Sequence, residues 1–305
     1  MTSPDLTAVN PDQAHLLRNL MERRAEAAEP AAHGGLRRSA ASVAIASGKG
    51  GVGKSVLALN IAVAMQLAGH RVGLLDANLS LGNIDLLCGL NGYWNLSHVI
   101  TGARRLPEIV LAGPAGVSVV PGASGLDEMA DYSLSAQRDV LSQLEEFAAG
   151  FDCLIIDTAT GVHRAVRQFV TAADVACVIA GPEPTAIADT YAAIKLLSSS
   201  ETGPVVQTIV NQTVDPGQAR DVAARLEQTS RRFLHTSLPV LGSVPWDPAV
   251  PRSVYSRRPF VLEAPAAAAS RAVVDLAHRL STVLERQPDR GGYFQQFRRR
   301  LGAAA

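Results

Sequence analysis

The stretch "VAIASGKGGVGKSVLALNIAVAM", Val43 to Met65, decides the fold. It opens with alternating β-branched residues, turns through a run of glycines and continues as an Ala/Leu-rich segment, so it reads as strand, tight loop and helix. Gly48, Gly53, Lys54 and Ser55 fit the pattern G-x-x-x-x-G-K-[ST], and the flanking strand and helix supply the context that this pattern requires. The loop Gly48, Lys49, Gly50, Gly51, Val52 and Gly53, with Lys54, Ser55 and Val56 opening the helix, is therefore expected to cradle a nucleotide. Glycines let consecutive backbone N–H groups turn toward phosphate oxygens, and the helix N-terminus adds partial positive charge. Lys54 is expected to reach the β- and γ-phosphates, and the Ser55 hydroxyl to ligate Mg²⁺. Lys49 is a second lysine in the same turn, poorly placed to hold the same nucleotide; its plain reading is a solvated loop residue.

Working outward, strands and helices alternate. VAIAS is followed by a helix from Gly53 to about Ala68, RVGLLD, a helix-and-loop region to about Ala115, VSVVPG, a helix near Leu134 to Phe147, and DCLIID. A helix after Gly161, DVACVIA, the helix of PEPTAIADTYAAIKLL, PVVQTIVN, the helix of DPGQARDVAARLEQ, PVLGSVP and a closing helix from about Ala266 to Glu285 complete the series. Strands that are apolar on both faces and joined by helices imply an α/β fold, a doubly wound, mostly parallel sheet with helices on both faces. The domain is expected over 42–288. An N-terminal segment and a linker rich in Ala, Gly and Pro occupy 1–41, and a tail set off by Gly291 and Gly292 occupies 289–305 as an appendage.

Composition narrows the class. With 305 residues and 47% hydrophobic content the chain is globular rather than disordered, and a net charge of zero gives no bulk polyelectrolyte attraction to nucleic acid. Arg231, Arg232, Arg257 and Arg258 are too scattered in sequence to argue a nucleic-acid surface, and no sequence-specific nucleic acid partner is expected. Cys88, Cys153 and Cys177 are widely spaced without a CxxC pair, so they read as core residues of a protein in a reducing compartment. No apolar stretch reaches the roughly 20 residues of a membrane-spanning helix, and a cytoplasmic location is expected.

Two carboxylates and an amide join the loop. Asp157 ends a fully apolar strand, where an α/β sheet presents ligands to its crevice; capping of the next helix is its plain alternative. Asp76 ends the second strand, in VGLLDANLSLGNIDLL, with Asn78 two residues on.

KGGVGKS resembles the signature of the deviant Walker A ATPases of the MinD/ParA family. The resemblance implies ATP and Mg²⁺ as ligands, ATP hydrolysis, and a homodimer formed on ATP binding, with Lys49 reaching across the two-fold interface to the nucleotide of the partner subunit. It makes Asp157 the Walker B carboxylate near Mg²⁺ and Asp76 the first acidic residue of switch I. The second switch aspartate of the family, which positions the attacking water, is matched here by Asn78. An amide orients water but takes no proton, so slow or absent hydrolysis with retained ATP binding is expected. Asn211, Pro245 and Trp246 match the loops that hold adenine, although an Asn at a strand end is also an ordinary turn residue.

DTATGVHRAVRQFVTAADVACVIAGPEPTAIADTYAAIKLL and DPAVPRSVYSRRPFVLEAP are similar to the MinD-like branch and, within it, to the flagellar number regulators of the FlhG (FleN) type. DQAHLLR fits the D-Q-A-x-x-L-R motif by which that group engages the GTPase FlhF, through Asp12, Gln13, Ala14, Leu17 and Arg18; as an isolated heptapeptide it is equally a plain helical N-terminus. In the tail, Tyr293, Phe294, Phe297 and Leu301 recur at helical spacing beside Arg298, Arg299 and Arg300. That pattern suits peripheral attachment to an anionic membrane surface, the inner face of the cell membrane; docking of the same apolar residues into a groove of the domain is the alternative. The functional expectation is an ATP-dependent dimerising switch at the membrane that regulates flagellar number or placement through FlhF. Its rivals are a positioning ATPase for cell division or other cargo, and a nucleotide-binding adaptor with little hydrolysis because of Asn78.

Overall fold

In the computed structural model the described residues, 39–78, 82–122, 133–197 and 203–302, belong to the unit Ser39–Ala305. The N-terminal segment with Asp12, Gln13, Ala14, Leu17 and Arg18 lies outside the described residues.

Val, Ala, Ile and Leu dominate the strands, and β-branched side chains pack well on a pleat buried from both sides. The strands are β1 (Ala41–Ala46), β2 (Val72–Ala77), β3 (Leu111–Ala112), β4 (Ser118–Val120), β5 (Cys153–Thr158), β6 (Val175–Ala180), β7 (Val205–Thr213) and β8 (Val240–Pro245). They form one sheet in the order β3-β4-β2-β5-β1-β6-β7-β8, parallel except where the short edge strand β3 runs against β4. Every residue of β2, β5 and β6 is buried, which only helices on both faces allow.

The helices are α1 (Lys54–Leu67), α2 (Ile84–Leu87), α3 (Leu96–Ile100), α4 (Leu106–Ile109), α5 (Leu134–Ala148), α6 (Arg164–Ala172), α7 (Pro184–Leu197), α8 (Pro216–Leu234), α9 (Ala249–Ser256), α10 (Phe260–Glu263), α11 (Ala268–Glu285) and α12 (Tyr293–Gly302). Local signals start several of them. Asp215 caps α8 by accepting from the Gln218 N–H at 2.9 Å, with Pro216 at the first helical position, and Ser133 caps α5. Two apolar cores result. One joins α1 and α11 to a face of the sheet through Leu57, Ile61, Met65, Val273 and Leu280; the other joins α5, α6 and α7 to the opposite face through Leu141, Leu144, Phe169 and Ile194.

The tail differs from the appendage expected of 289–305. Tyr293, Phe294 and Phe297 are buried in the second core, and α12 packs on α5 and α6. The Phe169 and Phe297 rings lie 4.7 Å apart. The Tyr293 hydroxyl donates to the Phe169 carbonyl at 3.0 Å, while Arg290 donates to the Ala173 carbonyl at 2.9 Å. Both carbonyls belong to the C-terminal end of α6, where the helix itself leaves acceptors without partners. Glu145 of α5 accepts from Gln295 and Arg298. No helix among the described residues is long and apolar enough to cross a membrane.

Candidate functional site: a phosphate loop with flanking carboxylates

The loop between β1 and α1 opens where β1 separates β5 from β6, at the carboxyl ends of the parallel strands. Gly51 and Gly53 have φ of 81° and 86°, values that favour glycine, and turn the backbone into the helix. Gly48 is required for a different reason: a Cβ there would stand 2.1 Å from the Asp189 carbonyl oxygen of α7. Gly53 caps α1 without a side-chain hydrogen bond, so the N-terminal N–H groups of α1 are presented to an anion rather than consumed by the protein.

Lys54 is buried and donates from Nζ to Asp157 Oδ1 at 2.5 Å. Its ammonium also lies 3.3 Å from Ser55 Oγ. Burial pushes the Asp157 carboxyl up, against the pull of the Lys54 ammonium. Asp76 stands directly beside Asp157 in the β2–β5 register and is equally buried. Its carboxyl is pushed up to about 7, first by burial and then by the Asp157 charge. Asp76 also fastens the chain that follows it: Oδ1 accepts from the Asn78 N–H at 3.0 Å, and Oδ2 from the N–H groups of Asn83 and Ile84 at 2.9 and 3.1 Å.

A nucleoside triphosphate with Mg²⁺ fits this donor set. The left-handed glycines and the uncapped helix start suit phosphate oxygens, and the buried Lys54 lies at the base of the loop. Ser55, Asp157 and Asp76 are the oxygen ligands at hand for a hard cation. Among the described residues no three His, Cys, Asp or Glu side chains are grouped to hold a metal unaided, in keeping with the habit of Mg²⁺ of resting on one or two carboxylates together with phosphates. Cys88, Cys153 and Cys177 are buried, and burial raises each thiol.

Other expected site residues have particular placements. The Lys49 ammonium is turned from the cradle toward α7, 3.0 Å from Glu183 Oε2 and 3.1 Å from Thr185 Oγ1. Glu183 and Thr185 went unmarked in the sequence, although both sit in the quoted PEPT segment. Asn211, matched above to an adenine-holding position, donates from Nδ2 to the Val52 carbonyl at 2.8 Å and abuts Gly53, bracing the loop itself. Gln212 adds a bond to the Gly51 carbonyl. Pro245 pairs with Thr213 at the end of β7, and Trp246 beside it is 60% exposed. Tyr293, Phe294 and Phe297 are 3%, 2% and 5% exposed, so their apolar faces contact protein in this structure. Of their neighbours, Leu301 packs on the same core and Arg298 pairs with Glu145.

Residues 38–281 match a family model described as ParA: NUBPL iron-transfer P-loop NTPase. The antiactivator FleN of Pseudomonas aeruginosa is 35% identical over 240 residues, covering 79% of this chain and 86% of that protein. The flagellum site-determining protein YlxH of Helicobacter pylori is 30% identical over 245 residues, covering 80% of this chain and 82% of that protein. Among solved structures, MinD in the MinC:MinD cell division complex of Aquifex aeolicus superposes with a TM-score of 0.65 at 24% identity, over 80% of this chain and 96% of that one. MinD of Pyrococcus horikoshii, solved with Mg-ADP, superposes with a TM-score of 0.65 at 22% identity, over 80% and 97%. At these identities the superpositions establish the shared fold.

Proposed function

The chain belongs to the ParA/MinD family of P-loop NTPases, and from that premise we propose that it is an ATP-dependent dimerising switch that sets flagellar number or placement. The observation that carries this reading is the division of labour between two lysines. Lys54 is sunk at the base of the loop against Asp157, whereas Lys49 stands at the rim, 39% exposed and outside the cradle of its own subunit. A rim cation serves a triphosphate held by a second copy, and anything that binds the paired state alone drives pairing by mass action.

In this mechanism the N–H groups from Gly51 to Ser55 bind phosphate oxygens, and Lys54 exchanges Asp157 for the β- and γ-phosphates. Ser55 and Asp157 would hold Mg²⁺, with Asp76 beside them, and the ion would supply neutralisation of the charge developing on the transferred group. Asn78 orients the attacking water by its amide and leaves the proton without a strong acceptor, so turnover is slow. Trp246 and Pro245 flank the base.

The tail completes the switch. α12 is seated on α6, and α6 follows directly from the Asp157–Val162 strand end and loop, where Gly161 donates to the Ser47 carbonyl at 2.9 Å. Rearrangement of that loop around a triphosphate moves the seat, and two released tails bind an anionic bilayer with avidity that one lacks. The flagellar assignment draws on the likeness to FleN and YlxH, and the target, the GTPase FlhF, on the Asp12–Arg18 motif. GTP turnover by FlhF tests it. The full chain is expected to accelerate turnover, and Gln13→Ala to abolish the acceleration; equal rates with and without the chain refute the FlhF assignment. A nucleotide-sensing adaptor without useful hydrolysis is the second reading, and Asn78 is the residue that favours it.

A further inference from the structure

We propose that Gln212 is a positioning residue for the phosphate loop: its side-chain amide holds the Gly51 carbonyl so that the Val52 N–H of the same peptide unit faces the bound phosphate. This rests on the nucleotide reading above and deepens it.

β7 is irregular at this residue. Asn211 lies opposite Val244 of β8 and Thr213 opposite Pro245, so Gln212 is an extra residue bulged from the pairing. Its φ is 61°, in the left-handed region that glycine and asparagine enter far more readily than glutamine. The bulge is pinned on its far side, where the Trp246 N–H donates to the Thr213 carbonyl at 2.8 Å. Consecutive side chains of a regular strand point to opposite faces. Those of Asn211 and Gln212 nevertheless reach the same loop, on consecutive carbonyls: Asn211 Nδ2 donates to Val52 at 2.8 Å and Gln212 Nε2 to Gly51 at 3.3 Å. The left-handed backbone is what brings the second amide beside the first, and strain of this kind collects where a ligand site needs it.

A trans peptide unit directs its C=O and N–H opposite ways. The Gly51 carbonyl shares a unit with the Val52 N–H, and the Val52 carbonyl with the Gly53 N–H. With both carbonyls drawn toward β7, both N–H groups point away from it, and among the described residues neither has an acceptor. Two donors are thus left for an anion. Gly51, at φ 81° and with nothing within 4 Å of where a Cβ would stand, offers no steric resistance to rotation of the unit that follows it. The Gln212 amide supplies the restraint that Gly51 lacks.

The test compares the full chain with Gln212→Met, which keeps the length of the side chain without a donor, and Gln212→Gly, which suits the left-handed backbone and removes the side chain. Mg-ADP and Mg-tripolyphosphate compete against a fluorescent ADP analogue. Both variants are expected to weaken both ligands alike, by about 2- to 12-fold, the range for one hydrogen bond. The urea midpoint of nucleotide-free Gln212→Gly should not fall, because glycine relieves the strain. In ¹H–¹⁵N spectra of the Mg-ADP complex, the Val52 amide proton should move upfield in both variants, while that of Ser55, set by the start of α1, stays in place. Unchanged affinities in Gln212→Met, or an unmoved Val52 signal, overturn the proposal. So does weaker ADP binding with unchanged tripolyphosphate binding, which places the amide's effect on the base. Parallel loss of affinity and of urea resistance in Gln212→Gly reduces Gln212 to a structural residue and overturns it too. If wild type binds no ADP, the nucleotide reading itself fails.

Discussion

Replacing Tyr293 by Phe separates docking of the tail from the lipid binding proposed for it. The Tyr293 hydroxyl is fully buried, stays protonated because burial pushes its phenol well above the usual range, and donates to the Phe169 carbonyl near the end of α6. Removing it leaves a buried carbonyl without a donor. Such an orphaned acceptor costs about 1–3 kcal/mol, equivalent to a roughly 5- to 150-fold shift toward the undocked tail. The ring itself remains, so apolar partitioning into a bilayer is not weakened. Hydrogen exchange of the amides of α12 in the nucleotide-free protein should accelerate by that factor, while β1 and β5 keep their protection. Flotation with anionic vesicles in the absence of nucleotide should rise in parallel. Unchanged exchange in α12 refutes the role of the hydroxyl, and equal acceleration in α12 and the central strands shows that the tail does not detach by itself.

Other outcomes follow from the loop and its carboxylates. Asn78→Asp restores a proton acceptor beside the site and should raise phosphate release about 100-fold, the low side of what general bases contribute; matched rates mean that Asn78 is no brake. Between its ordinary value of 3.8 and about 7, Asp76 holds a proton in the folded state that the unfolded chain has already released. Stability should therefore fall as pH rises across that window, by up to about 4 kcal/mol, and level off above it. Urea titrations at pH 5 and pH 8 measure this slope, and Asp76→Asn should flatten it. Gly48→Ala drives a methyl group into the Asp189 carbonyl, 2.1 Å away. It should displace the start of the loop and weaken binding of a fluorescent ATP analogue by more than tenfold; unaltered affinity means that the loop tolerates displacement from α7.

The phosphate loop and the long elements were legible because their signals are local. Glycine spacing, an apolar strand before it and a cap such as Asp215 each act within a few residues, and the helix expected to begin near Gly53 begins at Lys54. β3 escaped notice because two residues, Leu111 and Ala112, carry no period. The short helices α2, α3, α4 and α10 are too brief for one turn of pattern to stand out. Long-range partners were hidden for a stronger reason. Tyr293 and Phe169 are 124 positions apart, Lys49 and Glu183 are 134 apart, and only the completed sheet brings them together. Asn211 shows the same limit: its place at a strand end was readable, but its engagement of the Val52 carbonyl depends on how β7 lies beside the loop.

The position of β1 in the sheet has a consequence for regulation. Strands β5 and β2 lie to one side of it and β6 to β8 to the other. The first flank leads through α6 to the C-terminal helix, whereas the second carries Glu183, Thr185 and the loops around Trp246. In the proposed switch a ligand seated at the seam addresses two outputs along separate spokes. Lesions in α6 should cripple recruitment while sparing self-association, and lesions at the start of α7 should do the reverse. Timing and location are in that sense independently adjustable traits of one fold, open to selection one at a time.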